Sequence, residues 1–407
     1  MSAAEKAWLA LALTLRAGFA LWLGDGYYQT DELGFTGAAR QWAQTGFFGS
    51  GGGVFLGPPL PAVFFGSFFR FSSRFLWPRL GQAVVGTFTA WLIGRMTLSL
   101  TGSRRAGLAA LAVSCVYPFF IYYGGVLMSE TLYVTMSVAG LWALCESLAE
   151  GGSRLRTAAA AGLLLAAAAL CRAECAPITA VLWLAGLGAC WTGRWRMKAL
   201  LTAAACWLFV LGLWGARNKV VDGLFSLDTH GGMTLLHGTM FFDANEVDTS
   251  VAMREFQVTD IYRRGQTLDS GSRNRLYLRA GLSFMAANPG RTIRQWGRKT
   301  VNFWRFYPRL DKRYDDNPYN NPNAGFGRRA LAGVSLVFEP ALILGGLAGW
   351  WGLRRRWVTF QPLFLFLIGT MCIHVLVVSQ MRYRLPVMPV LIFGLASLFS
   401  ERRPAQS

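Results

Sequence analysis

Long apolar runs, each close to the thickness of a lipid bilayer, recur along this chain of 407 residues and limit what it can fold into. A helix needs about 20 apolar residues to cross roughly 30 Å of hydrocarbon, so a window of that length identifies candidate spans. The pattern predicts an all-α polytopic membrane protein with about 10 transmembrane helices. The predicted spans are 7–23, 79–100, 106–123, 128–149, 156–171, 176–192, 199–216, 331–352, 359–378 and 386–400.

The composition agrees with a membrane protein and excludes several other classes. Hydrophobic residues make up 53% of the chain and charged residues 15%, whereas soluble domains carry about 25% charged residues. A net charge of +19 suggests a nucleic-acid partner at first, but the basic residues lie mostly in short clusters between apolar runs. We therefore exclude a nucleic-acid partner, a disordered chain, a disulfide scaffold and a fibrous protein.

Basic residues in short loops predict the orientation, because such loops are retained in the cytoplasm. With both termini cytoplasmic, the basic clusters near residues 104, 154, 196 and 355 all lie on the inner side. The first span is expected to remain as an anchor, since no small-residue cleavage site follows it. This orientation requires that residues 58–71 dip into the outer leaflet or lie on it, since they are short for a span.

The predicted spans divide the chain into three parts. Residues 1–216 form an N-terminal module of seven spans with a first outer loop at 24–78, residues 217–330 form an external α-rich loop domain, and residues 331–407 form a C-terminal module of three spans. In the external domain, Asn288-Pro289 predicts the start of an amphipathic helix rich in tryptophan and arginine. We expect this helix to lie in the membrane interface, with a solvated helix packed on its own domain as the alternative.

The cysteines and histidines carry little chemical information. All seven cysteines lie in or beside apolar spans, and the spacing of Cys171 and Cys175 fits neither a redox pair nor a zinc site. His230 and His237 fall in a glycine-rich outer stretch, where a two-histidine metal site is the less favoured interpretation. His374 lies within a span, so its ring is expected to face the bundle interior.

The few acidic residues at the outer ends of spans are more informative. Asp31 and Glu32 follow the first span, and Glu130 stands at the outer end of the fourth. The structural alternatives are an exposed loop acid for Asp31 and a partner of the helix dipole for Glu130. The predicted orientation puts these acids on the same side as Arg382 and Arg384. Carboxylates supply a general base and guanidinium groups bind phosphate, which suits a reaction on a phosphate-linked lipid.

Several short segments carry a family resemblance through their order, spacing and sidedness. They are Asp31-Glu32, Pro58-Pro59-Leu60, Arg79 to Arg95, Tyr117-Pro118, Tyr122 to Gly125, Met128 to Leu132, Arg217-Asn218 and Arg382 to Pro386. Together they resemble the type C (GT-C) glycosyltransferases. Within these, the chain is similar to bacterial relatives of dolichyl-phosphate-mannose–protein mannosyltransferases and of the aminoarabinose transferase that acts on lipid A. The resemblance runs nearly from end to end.

This resemblance implies transfer of a monosaccharide from a polyprenyl-phosphate donor to an acceptor hydroxyl, with inversion at the anomeric carbon. It implies a periplasmic or external active site on a protein of the bacterial cytoplasmic (inner) membrane. Asp31 is the implied general base, with Glu32 and Glu130 as further catalytic residues. The expected ligands of the donor phosphate are, in order of preference, Arg384, Arg382 and Arg217.

Some features of the expected site stay open. Members of the family differ in metal dependence, so no cofactor is assigned and a divalent metal remains an alternative. Leu56-Gly57 stand where the lipid A branch has a lysine before the Pro-Pro pair, which makes that branch less favoured. Gly238-Thr239 replace the Gly-Asn of relatives, which puts an acceptor-side role of the loop 229–243 in doubt. Neither the sugar nor the acceptor, whether lipid, glycan or protein, is determined.

A polytopic lipid or small-molecule transporter or flippase is the competing function. Two observations oppose it: spans two to seven are nearly free of charge at mid-membrane, and no inverted repeat with broken helices is visible. The charges gather at one interface instead. A third interpretation, a non-catalytic assembly partner, requires these carboxylates to be incidental.

Overall fold

All regular secondary structure in the described part of the protein is helical, as the apolar pattern predicts. The computed structural model describes residues 1–29, 31–47, 57–148, 154–193, 195–241, 255–307, 323–356 and 360–400. Leu56 and parts of the predicted external domain, 242–254 and 308–322, lie outside these ranges.

The helices are numbered in chain order. The N-terminal module contains α1 (Ala3–Leu23), α2 (Asp31–Thr45), α3 (Leu60–Phe69), α4 (Leu76–Thr101), α5 (Arg104–Val116), α6 (Pro118–Gly125), α7 (Glu130–Leu148), α8 (Leu155–Ala169), α9 (Cys175–Trp191) and α10 (Met197–Asp222). The segment after α10 contains α11 (Gly231–Leu236), a π-helical turn (His237–Phe241), α12 (Asp260–Gln266), α13 (Ser270–Ala287) and α14 (Pro289–Phe303). The remainder contains α15 (Asn323–Gly352), a 3₁₀ turn (Arg354–Arg356), α16 (Gln361–Leu376), a 3₁₀ segment (Met381–Val387) and α17 (Met388–Ser397).

Five of the described helices are long and apolar enough to cross a membrane, namely α1, α4, α7, α10 and α15. The bent pair of α5 and α6 gives a sixth, and α3, α8, α9 and α16 are shorter apolar helices of 10 to 17 residues. These helices support a multi-pass membrane protein. The count of about 10 spans and the cytoplasmic position of the termini stay predictions.

The bend between α5 and α6 explains a buried arginine in the first span. Pro118 has no N–H to donate to the carbonyl of Ser114, so α5 ends at Val116 and α6 continues at an angle of 50°. Arg16 of α1 supplies the missing donors, because its Nη2 lies 2.9 Å from the Ser114 carbonyl oxygen and its Nη1 2.9 Å from that of Cys115. The guanidinium of Arg16, whose charge is costly in hydrocarbon, thereby satisfies the free carbonyl groups at the end of α5.

The last two helices, α16 and α17, pack against helices of the first half of the chain. Helix α17 packs on α4 and α5, and α16 packs on α7 and α9. Their apolar side chains form one large core with those of the N-terminal module. Between α1 and α4, α2 packs on α3, whose ten residues extend about 15 Å, half the hydrocarbon thickness.

The amphipathic helix α14 packs through its polar face. Thr292, Gln295 and Lys299 are buried, while Ile293 and Val301 are exposed. The Lys299 ammonium donates to the carbonyl of residue 377 at 2.7 Å, in the link between α16 and the 3₁₀ segment. The predicted amphipathicity is therefore present, and the exposed apolar side is consistent with a helix in the membrane interface. The interfacial position itself stays a prediction.

Candidate active site

The adjacent acids Asp31 and Glu32 point in different directions because consecutive helical residues are about 100° apart around the axis. Glu32 is fully buried and accepts backbone N–H groups of Tyr28 (2.6 Å), Gln29 (2.8 Å) and Leu127 (2.8 Å). The Arg79 guanidinium lies 3.3 Å from its second oxygen. Glu32 thus fastens the start of α2 to α4 and to the turn before α7.

Asp31, the first residue of α2, forms an ion pair with the 3₁₀ segment near the other end of the chain. Its Oδ2 lies 2.7 Å from Nη1 of Arg382, and the side chains of Asp31 and Arg382 are 49% and 18% exposed. The positive charge of Arg382 lowers the pKa of the Asp31 carboxyl below its usual value, and this effect outweighs partial desolvation. The structure therefore brings two of the predicted site residues into direct contact.

Glu130 lies in a second charged group, built around Arg172 in the turn between α8 and α9. Glu130 is 1% exposed, and its Oε1 lies 3.0 Å from Nη1 of Arg172. The Nε of Arg172 donates to Glu174 at 2.7 Å. The other oxygen of Glu130 is buried and has no hydrogen-bond partner in the described part of the chain. Two carboxylates thus hold one guanidinium group in place.

Tyr383 links the two charged groups through its ring. The guanidinium carbons of Arg172 and Arg382 each lie 5.1 Å from the centre of this ring, within the range of cation–π contacts. His374 stacks on the ring at 4.5 Å, with an interplanar angle of 10°. The Nε2 of His374 is also 3.4 Å from the Glu174 carboxylate. The candidate site, called the Asp31 cluster below, consists of Asp31, Glu130, Arg172, Glu174, His374, Arg382 and Tyr383.

Arg384, the first choice from sequence for the donor phosphate, lies outside the Asp31 cluster. It is 1% exposed and donates to the carbonyl oxygens of Phe303 (2.6 Å) and Arg305 (3.0 Å). It also pairs with Glu339, a fully buried acid of α15 that accepts the hydroxyl of Tyr117 as well. These contacts occupy Arg384 in joining α6, α14, α15 and the 3₁₀ segment.

Arg217 lies near the opposite end of α2 from Asp31. Its guanidinium carbon is 5.1 Å from the ring centre of Phe47, just beyond the last residue of α2, and it also contacts Trp214 and Asn218. Because α2 has 15 residues and a rise of about 1.5 Å per residue, its ends are about 22 Å apart. The structure therefore does not bring Arg217 to the Asp31 cluster.

Among the described residues, no group of three or more His, Cys, Asp or Glu side chains is placed to hold a metal ion. His237 is buried, with its ring 4.6 Å from the ring centre of Phe256 in a small core formed with Leu236 and Tyr277.

Sequence reasoning missed several residues of these groups. The predicted orientation already placed the turn containing Arg172 and Glu174 on the outer side, so its charges were available as a signal. Glu339 stands inside a predicted span, where a charged residue needs a partner. No sequence signal distinguishes Tyr383 from other aromatic residues near span ends.

The fold is similar to that of an archaeal oligosaccharyltransferase, a GT-C glycosyltransferase, as comparison with solved structures shows. Its structural neighbours include two structures of the oligosaccharyltransferase of Archaeoglobus fulgidus. The apo form has 13% identity, a TM-score of 0.56 and coverage of 97% of this chain and 50% of that chain. The complex with zinc and sulfate has 14% identity, a TM-score of 0.50 and coverage of 97% and 48%. No protein-family model and no curated protein sequence matches this chain.

This likeness confirms the GT-C resemblance at the level of the fold. At such low identity it extends to the fold alone. The chain spans about half the length of these neighbours.

Proposed function

We propose that this protein transfers a monosaccharide from a polyprenyl-phosphate donor to an acceptor hydroxyl on the external face of a bacterial cytoplasmic membrane. The observation that carries the proposal is the half-exposed Asp31 carboxylate, 2.7 Å from the Arg382 guanidinium within a GT-C-like fold. A carboxylate beside a phosphate-binding group matches the needs of such a transfer.

In the proposed reaction, Asp31 accepts the proton of the acceptor hydroxyl. The acceptor oxygen forms a bond to the anomeric carbon as the bond between this carbon and the phosphate oxygen breaks. The electron pair of the broken bond leaves with the lipid phosphate, whose negative charge Arg382 stabilises. Attack from the face opposite the phosphate inverts the anomeric carbon. Phosphate is a good leaving group, so one carboxylate suffices, unlike the paired acids of glycoside hydrolases.

The other predicted residues take different parts in this proposal. Glu32, which binds three backbone N–H groups, is a positioning residue that fixes the start of α2. Glu130 holds Arg172 beside Tyr383, and this supports Arg172 as a second phosphate ligand. Arg382 replaces Arg384 as the preferred phosphate ligand, because the contacts of Arg384 are with buried protein groups.

The test is to present the purified protein in lipid nanodiscs with a panel of polyprenyl-phosphate sugars and cell-envelope extract. Mass spectrometry identifies which donor is consumed and which molecule gains the sugar. We expect one donor to be consumed by the parent protein and not by Asp31→Asn. If no donor is consumed under any condition, while reconstituted vesicles show movement of a lipid between leaflets, the flippase alternative replaces this proposal.

A further inference from the structure

We propose that the Asp31–Arg382 ion pair is a resting-state lock, which the phosphate of a lipid donor opens by taking Arg382 and releasing Asp31. This inference rests on the proposed function, since it concerns when the proposed base becomes active. The lock also sets an order of steps in the proposed function, because the donor must bind before Asp31 is released to act as the base.

The two members of the pair are held to very different degrees. The Arg382 guanidinium lies over the Tyr383 ring, and its Nη2 donates to the Tyr383 hydroxyl at 3.3 Å. Its side chain is 18% exposed, against 49% for Asp31. Because the guanidinium is held by Tyr383 and the carboxylate is the more exposed of the two groups, an anion that competes for Arg382 displaces the carboxylate.

Arg382 also has unused capacity for an anion. Its contact with Asp31 uses only Nη1, and its Nη2 makes a long hydrogen bond of 3.3 Å to the Tyr383 hydroxyl. A guanidinium presents donors in a fixed fork that matches two phosphate oxygens, whereas the contact with Asp31 joins one nitrogen to one oxygen. Phosphate can therefore form the bidentate contact that Asp31 leaves incomplete.

When phosphate displaces Asp31 from Arg382, the carboxylate becomes a stronger base, as the proposed reaction requires. While paired, the carboxyl has a lowered pKa because of Arg382 and, to a lesser extent, Arg172, which makes it a weak base. Phosphate on Arg382 removes the stabilising contact and adds a negative charge nearby, and both changes raise the pKa of Asp31. The acceptor proton then has a stronger base only while a donor is bound.

The experiment measures the protonation of Asp31 without turnover. The parent protein in nanodiscs is labelled with a water-soluble carbodiimide and an amine across a pH series, and peptide mass spectrometry follows the labelling of Asp31. The probe is a polyprenyl phosphate that carries no sugar, and the matching polyprenol without phosphate is the control ligand. We expect the phosphate to raise the midpoint of Asp31 labelling by about 1 pH unit or more, and the polyprenol to leave it unchanged.

The chain supplies its own controls. Asp25 in the same outer loop pairs with the exposed Arg74 at 3.0 Å, so its labelling midpoint is expected not to respond to the probe. In Arg382→Gln, the midpoint of Asp31 is expected to be high already and insensitive to phosphate.

Three results overturn the lock: an unchanged or lower midpoint in the parent with phosphate, an equal rise with polyprenol, or an equal rise in Arg382→Gln. The failure of the proposed function looks different. A midpoint that rises with phosphate, in a protein that consumes no donor sugar, keeps the lock and removes the transferase. Sugar transfer with an unchanged midpoint keeps the transferase and removes the lock.

Discussion

Arg382 and Arg384 stand two residues apart in one 3₁₀ segment, yet they form ion pairs of opposite character. A 3₁₀ helix has three residues per turn, so these side chains are about 240° apart around the axis and face different surroundings. Arg382 meets Asp31, which is 49% exposed. Arg384 meets Glu339, whose side chain is fully buried.

The comparison shows that environment, more than residue type, decides what an arginine does in this protein. Removing two charges from water costs several kcal/mol per ion, so a buried pair persists only with further hydrogen bonds. Arg384 and Glu339 have them, from two backbone carbonyls and the Tyr117 hydroxyl. The partly exposed Arg382 pair lacks such enclosure, and therefore it is the one a ligand is able to open.

The sharpest test of the exposed pair removes its negative charge. Asp31→Asn keeps the shape of the side chain and loses the base, so we expect the sugar-transfer rate to fall by about 10² to 10⁴-fold. The thermal unfolding midpoint in detergent should stay close to that of the parent, because the side chain is half exposed. A variant that turns over donor like the parent contradicts the assignment of the base.

The buried pair is tested by stability. Glu339→Leu leaves Arg384 without its carboxylate, which should cost about 3 to 5 kcal/mol in the free energy of unfolding. The double change Glu339→Leu with Arg384→Met should recover much of this loss, since it removes both charges. Unfolding is measured in the same detergent for all variants. A double variant no more stable than Glu339→Leu speaks against a partnership between these residues.

Arg382→Gln sharpens the comparison between the two arginines. Loss of one charged hydrogen-bonding group costs about 1.5 to 3 kcal/mol, which corresponds to an increase of about 10 to 150-fold in donor KM. The pKa of Asp31 should also rise, since Arg382 lowers it in the free protein. A base works only when deprotonated, so the acid limb of kcat/KM against pH should move to higher pH. An unchanged limb argues that Asp31 is not the titrating group.

The smallest effect is expected from a third, fully open pair. Asp25 and Arg74 are 43% and 67% exposed, and Asp25 keeps the backbone N–H groups of Phe75 and Leu76 when Arg74 is changed. Arg74→Gln should therefore change the free energy of unfolding by less than about 1 kcal/mol, with little effect on sugar transfer. A loss of unfolding free energy as large as that of Glu339→Leu would show that exposure does not predict how much these ion pairs stabilise the protein.

Much of the fold follows from the sequence, because bilayer thickness imposes a length on apolar segments. Each of the ten predicted spans overlaps a described helix, and α1, α4 and α7 have the length to cross. Length alone does not establish a crossing for α8 or α9, which have 15 and 17 residues. For such helices the outcome depends on tilt and neighbours, which a hydropathy window does not contain.

The site was predictable in part. The predicted orientation placed Asp31 and Arg382 on the same side of the membrane, and in the structure their side chains are in contact. The ranking of Arg384 above Arg382 stays a prediction. The structure places Arg382 in the Asp31 cluster and Arg384 against Glu339, and the sequence does not show in which direction each side chain leaves a 3₁₀ turn. The partner of Arg384 also stands on a different helix, and a single sequence does not state such pairings.

The Asp31–Arg382 contact joins residues about 350 positions apart in the chain. A ribosome adds about 5 to 20 residues per second, so Asp31 is synthesised roughly 20 to 70 seconds before Arg382. During that interval α2 is present without the 3₁₀ segment that closes the site. The proposed site is therefore complete only after the 3₁₀ segment has been synthesised, and a chain interrupted before Met381 carries Asp31 without Arg382.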